Sequence, residues 1–444
     1  MIGYGALRSA RFELAEKARA YRMKRNTQPA RIFGWTKFFA VSLHLLRTRR
    51  FGTFFFASLL SNLGTWAQQV AEPWLLLSLG ASSLLIGLDS FAMAAPVWML
   101  TLVGGALADR ADRRRVIAIF QSIQMLCPTT LVILLLTGTI EPWMVIALSA
   151  VVGVTDALSM PSFQSIVPSI VERAQIPSAL ALNATQFNLS RLLGPALAGI
   201  VMASIGAIGC FALNAASYLP FIWVALWILP RGRSRAAAGE SNAPFGLFAG
   251  VREVARAPHL RGALLTALLT STFCGPLIVF CPVLVKQALH GDVGDFSIAI
   301  GAFGVGGLLG ATALLGVDPS RDRRQLSSWF AGAHGFVLVL AAINTRFWGL
   351  ATLLILAGLS MSVSNISANS LLQSTTAQRM RGRTVSLYML ALRGGVSVGS
   401  LLTGMSVHLL GVRQALLING ILAVASQIIV GREWMRSPLP RPAS

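Results

Sequence analysis

The sequence predicts an all-α integral membrane protein with twelve transmembrane helices, arranged as two six-helix pseudo-symmetric halves. Of its 444 residues, 55% are hydrophobic and only 12% are charged, whereas soluble domains carry about 25% charged residues. A helix that crosses the hydrocarbon core of a bilayer needs about 20 apolar residues, and apolar segments of that length follow one another along the chain. This composition excludes an ordinary soluble enzyme, and the apolar excess excludes a disordered chain.

The predicted helices form two groups of six around one polar stretch. The first group covers residues 51–78, 82–108, 116–138, 142–168, 178–204 and 206–229. The second group covers residues 262–288, 296–316, 325–345, 347–371, 384–410 and 412–431. Residues 230–258 are rich in Arg, Ser, Gly and Pro, which end the apolar pattern and indicate a linker. The predicted organisation is a basic N-terminal segment (1–50), an N-terminal half (51–229), the linker (230–258), a C-terminal half (259–431) and a tail (432–444).

The basic residues indicate how the chain is oriented in the membrane. There are 37 Lys and Arg against 16 Asp and Glu, and 12 of the basic residues fall in the first 50 positions. Of the other 25, 20 lie in every second connection or the tail, three in the opposite connections and two inside spans, and cytoplasmic connections are the ones that collect Lys and Arg. We therefore expect both termini and the linker in the cytoplasm, and no nucleic-acid partner. Residues 35–50 are typical of an interfacial helix on anionic lipid, or of a leader that only fixes the topology.

No pattern in the sequence indicates an enzyme or a metal site. Phosphate-binding loops of the GxxxxGK[ST] type are missing, as are the HExxH and GxSxG motifs. Four cysteines are scattered through apolar segments, without the spacing of a disulfide framework or a zinc site: Cys127, Cys210, Cys274 and Cys281. We therefore expect a monomer with no resident cofactor, whose partners are the bilayer and a small-molecule substrate.

The connection between the second and third predicted helices carries a dense motif, G-x-x-x-D-R-x-x-R-R. A glycine lets a neighbouring helix approach closely, an acid caps the positive N-terminus of an adjacent helix, and arginines pair with acids or lipid phosphates. The residues concerned are Gly105, Asp109, Arg110, Arg113 and Arg114. A looser copy, with Asp318, Arg323 and Arg324, follows the eighth predicted helix. Such internal duplication is typical of many secondary transporters.

This loop resembles the signature loop between helices 2 and 3 of the major facilitator superfamily. Further segments are similar to one branch of it, which includes enterobactin-type siderophore exporters and macrolide or multidrug efflux proteins. They are Arg50-Phe51, Ser61-Asn-Leu-Gly64-Thr-Trp66, Asn188-x-x-Arg191-x-x-Gly194-Pro195 with Gly199, Gly301 to Gly310, and Arg381-Gly382-Arg383. The resemblance implies an alternating-access exporter of a small amphiphilic molecule, a siderophore or a drug, in a bacterial inner membrane. It also implies proton antiport driven by the proton gradient.

The resemblance further implies roles for particular residues. Asp109 would cap the start of helix 11 near Gly382-Arg383-Thr384, Gly105 would give the close contact, and the arginines of the loop would form a charge relay. The antiporter-like motif of helix 5 is represented by Gly194, Pro195 and Gly199. Two departures weaken the implied proton antiport. Ala198 and Thr185 replace glycines of that motif, and Thr65 stands where this branch often has an acid.

Five charged residues lie well inside predicted spans: Glu72, Asp89, Asp156, Arg191 and Arg393. A charge at the centre of a bilayer costs about 2.5–3.5 kcal/mol or more, so each needs a partner or water. Asp156 and Arg191 lie at a similar depth, roughly 20 Å from the turn that joins helices 4 and 5. We therefore predict an ion pair between them, with either a structural role or that of a proton-sensitive switch.

Arg393 has no acid at matching depth in helix 10, and three readings stay open. It contacts an anionic substrate, pairs with Asp89 or Glu72 of the other half, or extends toward the interface. The proton-coupling candidates are the three acids Asp156, Glu72 and Asp89, and the cavity candidates are Gln68, Asn365 and Asn369. Pro276 and Pro282 predict a bend in the seventh helix. The alternative to an exporter is an importer or facilitator for a metabolite or a lysolipid-like molecule, without proton antiport.

Overall fold

The structure is a computed structural model that describes residues 43–172, 175–229, 257–315, 317, 322–376 and 381–436. Residues 230–256 of the predicted linker, the tail beyond residue 436 and residues 1–42 of the N-terminal segment lie outside these ranges. The domain boundaries placed there therefore stay predictions.

The first half of the chain forms six long helices. They are α1 (Arg49–Ser78), α2 (Ser83–Arg110), α3 (Arg113–Thr137), α4 (Pro142–Ile166), α5 (Ile176–Ile205) and α6 (Ala207–Trp227). Local chemistry sets several of the boundaries. The Ser82 side chain accepts a hydrogen bond from the backbone N–H of Leu85 and so caps α2. α3 ends at Thr137 and is capped by Gly138, whose φ of 69° lies in the left-handed region that favours glycine.

The second half repeats this arrangement with one break. The helices are α7 (Pro258–Cys274), α8 (Val293–Leu315), α9 (Arg323–Ile343), α10 (Phe347–Thr375), α11 (Arg381–Leu410) and α12 (Val412–Arg436). After Cys274 the chain continues as two short helices, Pro276–Val279 and Cys281–Val283, and a π-helical turn, Leu284–Ala288. We call these three pieces the broken end of α7. The predicted bend at Pro276 and Pro282 is confirmed, because each proline lies at the first or second position of a new helical piece.

Among the described residues, ten helices, α3 to α12, are long and apolar enough to cross a membrane. The apolar stretch of α2 is the shorter segment Ser83–Val97, and α1 carries Ser, Asn, Gln and Glu side chains along its length. The membrane class and the all-α fold are therefore confirmed. The count of twelve spans stays a prediction for α1 and α2.

The two halves use the same packing scheme. In the first half α2 packs against α4, α1 against α5 and α6, and α3 against α4 and α6. In the second half the equivalent pairs are α8 with α10, α7 with α11 and α12, and α9 with α10 and α12. The halves meet where α2 packs against α11 and α5 against α8. Because these two contacts are also equivalent, the predicted pseudo-symmetric arrangement is confirmed.

Equivalent hydrogen bonds begin α3 and α9, at the end of the molecule that we call the basic end. Asp112 accepts from the backbone N–H of Arg114 at 3.1 Å, and Asp322 accepts from that of Arg324 at 2.9 Å. Arg114 then donates to the carbonyl of Leu226 near the end of α6 at 2.6 Å. Its counterpart Arg324 donates to the carbonyl of Trp434 near the end of α12 at 3.3 Å. The predicted matches of Arg113 with Arg323 and Arg114 with Arg324 are thus confirmed.

The acid that the duplication preserves differs from the predicted one. Asp112 and Asp322 occupy equivalent helix-capping positions, whereas the prediction matched Asp109 with Asp318. Asp318 lies outside the described residues. The capping role explains the preserved pair, because an acid just before the first turn satisfies an otherwise unpaired N–H group.

The apolar core shows which end of the molecule is closed. One cluster at the end opposite the basic end draws on both halves and includes Leu76, Phe211, Phe280 and Phe296. At the basic end the apolar clusters of the described residues are separate, one built from the first half and one from the second. We call the end that holds the shared cluster the closed end. The described residues therefore form a molecule that is joined there and divided toward the basic end.

Close helix contacts support the closed end. The rings of Trp74 on α1 and Phe296 on α8 stack across the two halves with centroids 5.0 Å apart. A Cβ atom at Gly199 of α5 would lie 2.5 Å from the carbonyl oxygen of Ser297 on α8. Only glycine allows this approach without a shift of one helix.

We expect Gly199→Ala to destabilise the chain, by about 1–3 kcal/mol for an overpacked contact. Gly301→Ala on α8 is the matched control, because a Cβ atom there meets nothing within 4 Å. The control is expected to unfold at the same temperature as the wild type or slightly higher, since alanine favours a helix over glycine by about 1 kcal/mol. Thermal unfolding in detergent measures both variants, and equal unfolding temperatures would contradict the close contact.

Candidate functional site

A cross-half ion pair lies between the two halves. The Arg393 Nη1 atom of α11 lies 3.3 Å from the Asp156 Oδ2 atom of α4. Gln124 of α3 donates to the other carboxylate oxygen of Asp156 at 2.8 Å. The two charged side chains are 36% and 38% exposed, so the pair borders open space between the halves.

The predicted partner of Asp156 was wrong. Asp156 pairs with Arg393, and the Arg191 guanidinium instead lies 3.9 Å from the sulfur of Met361 on α10. The depth argument placed Asp156 and Arg191 at similar levels, but depth does not fix the direction in which a side chain leaves its helix. One of the three hypotheses for Arg393 was an ion pair with an acid of the other half. Such a pair is present, but the acid is Asp156 and not Glu72 or Asp89.

The duplication relates the two arginines. Arg393 of α11 reaches α4 of the other half, and Arg191 of α5 reaches α10, which is the helix equivalent to α4. One arginine meets the carboxylate of Asp156, and the other meets the thioether of Met361. Among the described residues, no carboxylate lies within ion-pair distance of Arg191. Arg191 is therefore a cation without a carboxylate partner in this part of the structure, whereas its counterpart Arg393 is neutralised by Asp156.

Two aromatic rings complete this cluster. The Arg191 guanidinium carbon lies 6.0 Å from the ring centroid of Trp66, and that of Arg393 lies 5.9 Å from the centroid of Phe187. The rings of Trp66 and Phe187 contact each other edge to face at 6.1 Å. We call Arg191, Arg393, Asp156, Trp66 and Phe187 the arginine–aromatic cluster. With two cations and one acid, it can hold an anionic group beside an apolar or ring-bearing part.

Glu72 and Asp89 lie away from this cluster, inside the N-terminal half and toward the closed end. Glu72 is 3% exposed and Asp89 is 5% exposed. The Ser149 hydroxyl of α4 donates to Glu72 Oε1 at 3.0 Å and also interacts with Asp89. The Oδ1 atom of Asp89 has no hydrogen-bond partner among the described residues.

A polar network inside the N-terminal half includes groups that sequence reasoning missed. Asn214 donates to Gln68 Oε1 at 2.6 Å, and Thr65 lies 3.4 Å from Asn214 Oδ1 and 3.3 Å from the Tyr218 hydroxyl. These four residues line one small pocket together with Gln124 and others. The sequence gave no signal for Asn214, Tyr218 and Gln124, since isolated polar residues in apolar helices have many possible partners.

The predicted cavity residues have other contacts. Gln68 is buried within the N-terminal half and bonded to Asn214, so its placement in the central cavity was wrong. On α10, the carbonyl of Asn365 accepts from the Tyr388 hydroxyl at 2.8 Å, and Asn369 accepts from Gln373 at 3.1 Å. Both are half-buried, and a place in the cavity stays a prediction for them.

Part of the predicted switch loop falls outside the described side chains. Gly105, Asp109 and Arg110 lie near the end of α2, and their proposed contacts with Gly382 and Arg383 are beyond what the structure describes.

The described arginines of that loop brace helix ends within their own half. Arg113 donates to the carbonyl of Ser165 near the end of α4 at 3.2 Å, and Arg114 donates to α6. A cation at a helix C-terminus is favourable, because the last carbonyls carry partial negative charge.

The equivalent loop of the second half is held by charge. Burial alone would raise the pKa of the Asp322 carboxyl, but the hydrogen bonds and the charge of Arg324 outweigh it, and this pKa lies below its usual value. Arg324 Nη2 lies 2.8 Å from Asp322 Oδ2. Asp322 is therefore a charged helix cap at neutral pH.

The motif of α5 packs as its small residues predict. A Cβ atom at Gly194 would collide with Trp66 of α1, and Gly199 contacts α8. Pro195 lies inside the helix. These residues bring α5 close to both halves, which fixes Trp66 beside Arg191; their link with antiport stays a prediction. Among the described residues, no group of three or more His, Cys, Asp or Glu side chains is placed to hold a metal ion.

Comparison with known sequences identifies similar transporters. A family model described as transmembrane secretion effector matches residues 40–440. The staphyloferrin A transporter of Staphylococcus aureus is 25% identical over 385 residues, which cover 85% of this chain and 94% of that protein. The multidrug efflux pump Tap of Mycolicibacterium fortuitum is 24% identical over 387 residues, covering 83% and 93%.

Comparison with solved structures shows the fold. A bacterial homolog of the human lysosomal transporter Spinster, in an inward-facing conformation, matches with a TM-score of 0.66 and 15% identity over 88% of this chain and 100% of that chain. A bacterial homologue of ferroportin, also inward-facing, matches with a TM-score of 0.60 and 16% identity over 87% and 98%.

We expect Asp156→Asn and Arg393→Gln to be energetically coupled. A double-mutant cycle on thermal unfolding in detergent is expected to give a coupling on the order of 1 kcal/mol, since the side chains contact each other but are partly exposed. The cycle of Asp156→Asn with Arg191→Gln is the comparison and is expected to give a clearly smaller coupling, since Arg191 interacts with Arg393 but makes no ion pair with Asp156. Coupling to Arg191 with none to Arg393 would restore the pairing predicted from depth.

Proposed function

We propose that this chain, which belongs to the transmembrane secretion effector family of the major facilitator superfamily, exports a small amphiphilic molecule in exchange for protons. Export would proceed by alternating access, in which two six-helix halves rock around a site between them. The observation that carries the proposal is the arginine–aromatic cluster, which lies between the halves and contains groups from both.

The division of the molecule toward its basic end supports this mechanism. The exposed fractions of Asp156 and Arg393 indicate access from that end, while Trp74 and Phe296 close the other. Since cytoplasmic loops collect basic residues, we place the basic end and both termini in the cytoplasm of a bacterial cell, with the chain in the inner membrane. The described conformation would then load substrate from the cytoplasm. A monomer contains both halves of the site.

The charges of the cluster favour an anionic amphiphile, such as an acidic siderophore. An anion would interact with Arg191, which lacks a carboxylate partner, and would compete with Asp156 for Arg393. The ring faces of Trp66 and Phe187 would contact an aromatic or apolar part. The similarity to a staphyloferrin A transporter agrees with this substrate class.

A second candidate substrate is a hydrophobic cationic drug. It is supported by the similarity to the multidrug efflux pump Tap and by the partly exposed carboxylate of Asp156. The two classes make opposite demands, because a cation would displace Arg393 from Asp156 and would gain nothing from Arg191.

Transport in inside-out vesicles tests the proposed function. We expect addition of a catecholate siderophore to collapse a preformed pH gradient, with cationic and neutral drugs as the comparison compounds. Asp109→Asn and Asp156→Asn are expected to reduce the proton flux. If folded protein gives no proton response to any of these compounds, antiport is contradicted for them, and uptake assays then test the alternative of an importer or facilitator.

We expect Arg191→Gln to raise the KM for an acidic substrate by about tenfold or more, since a hydrogen bond to a charged group contributes about 1.5–3 kcal/mol. Arg261→Gln is the control, because Arg261 is an exposed arginine that contacts Glu433 at 3.6 Å, outside the cluster. Transport kinetics in the same vesicles measure both variants. An unchanged KM for every acidic compound that is transported would contradict the anion site.

A further inference from the structure

We propose that Glu72, Asp89 and Ser149 form a proton-binding site, separate from the arginine–aromatic cluster, in which the two carboxyl groups retain at least one proton while the closed end is shut. The inference deepens the proposed antiport, because it assigns the proton to a place that the substrate does not occupy. It rests on the geometry of the three side chains and on the charges around them.

Both carboxyl groups of the proposed site are buried. Glu72 of α1 is 3% exposed and Asp89 of α2 is 5% exposed, inside the N-terminal half. A buried carboxylate needs a cation, several donors or a proton. Here one hydroxyl, that of Ser149, serves both carboxyl groups, and Oδ1 of Asp89 has no partner among the described residues.

The surroundings of Glu72 bring it no positive charge among the described residues. Glu72 is flanked by Asp89 from α2, Ser149 from α4, Gln68 from α1 and the thiol of Cys127 from α3. None of these groups is a cation. Two carboxyl groups that interact in a buried site cannot both ionise at low cost, so they share protons.

The remaining elements packed against α1 and α2 bring no cation to the site among the described residues. α6 contains no charged residue. α5 carries only Arg191, which lies against Trp66, six residues or about 9 Å along α1 from Glu72. On α11, the described charged groups are Arg393, which is bonded to Asp156, and His408, which is exposed.

The closed end carries further charged groups. Arg413 of α12 donates to the carbonyl of Ala288 at 3.1 Å, and Arg346 and Glu141 are exposed. Lys286 in the broken end of α7 is exposed. Asp295 of α8, beside Phe296, interacts with the backbone N–H of Asp292 in the preceding loop at 3.3 Å. None of these groups neutralises Glu72 or Asp89, so a proton is the remaining way to remove their charge.

Polar side chains continue from the carboxyl pair toward the arginine–aromatic cluster. Gln68 interacts with Glu72, and Asn214, Thr65 and Tyr218 continue from Gln68 through hydrogen bonds. The pocket that they line also contains Gln124, which donates to Asp156. Polar groups thus lead from the carboxyl pair to the space between the halves. In the proposed exchange, the O–H bond of one carboxyl breaks and its proton passes to water on the basic side.

Infrared spectroscopy of the purified full chain tests the site without any substrate. We expect a C=O stretching band of a buried, protonated carboxylic acid at neutral pH. The band should shift in Glu72→Gln and in Asp89→Asn, because each single variant leaves one acid, and should be lost in the double variant. Asp156→Asn is the matched control and should keep the band unchanged. Amides mimic protonated acids in size and polarity, so these variants should fold. The variant Ser149→Ala removes only the hydroxyl that both carboxyl groups share, and it should also shift the band.

Two results would overturn the proposal: no such band in the wild type at neutral pH, or a band that survives in the folded double variant. The outcome is independent of the proposed function. A chain that shows the band and loses it in the double variant, yet moves no proton with any compound in vesicles, keeps the proton site and loses the antiport.

Discussion

A charge in a membrane interior must be paired, hydrated or neutralised, and the polar architecture of this chain follows from that constraint. Asp156 is paired by Arg393 across the two halves and receives a hydrogen bond from Gln124. Because the pair crosses between halves that share no apolar cluster at the basic end in the described residues, its stability depends on their relative position. The same interaction that makes Asp156 tolerable in the membrane thus also depends on the conformation of the transporter.

The duplication of the six-helix unit gives a nearly symmetric scaffold, and its departures from symmetry mark the site. Equivalent caps begin α3 and α9, and equivalent arginines brace the ends of α6 and α12. Between the halves the equivalence stops, since one arginine meets Asp156 and the other meets Met361. A symmetric site with two acids would be electrically balanced. Because Arg191 meets a thioether and not an acid, the cluster carries an excess of positive charge between the halves.

The sequence predicted the helices well because each one is a long apolar segment bounded by turn or capping residues. It also predicted the break at Pro276 and Pro282, since proline acts locally. It did not predict the partner of Asp156, because helix length gives depth but not the direction of a side chain around the helix axis. That direction depends on how α4 faces α11, a contact between distant parts of the chain. Gln68 was misplaced for the same reason, as its partner Asn214 lies on α6.

The position of Glu72 links its surroundings to the state of the closed end. Glu72 and Trp74 flank Pro73 in one turn of α1, and the Trp74 ring stacks on Phe296 of the other half. Separation of the halves at this end would expose the Trp74 ring to water. Glu72 leaves α1 on the side away from Trp74 and faces Ser149 of α4, so opening would reach it by moving α1 against α2 and α4. Water admitted by such a movement would lower the cost of the ionised carboxyl. Opening of the closed end and ionisation of Glu72 would therefore favour each other. By linkage, a protonated pair would favour the closed end to the same degree. A proton site on the same helix as the contact that closes the molecule thus needs no direct contact with the substrate to influence which end is open.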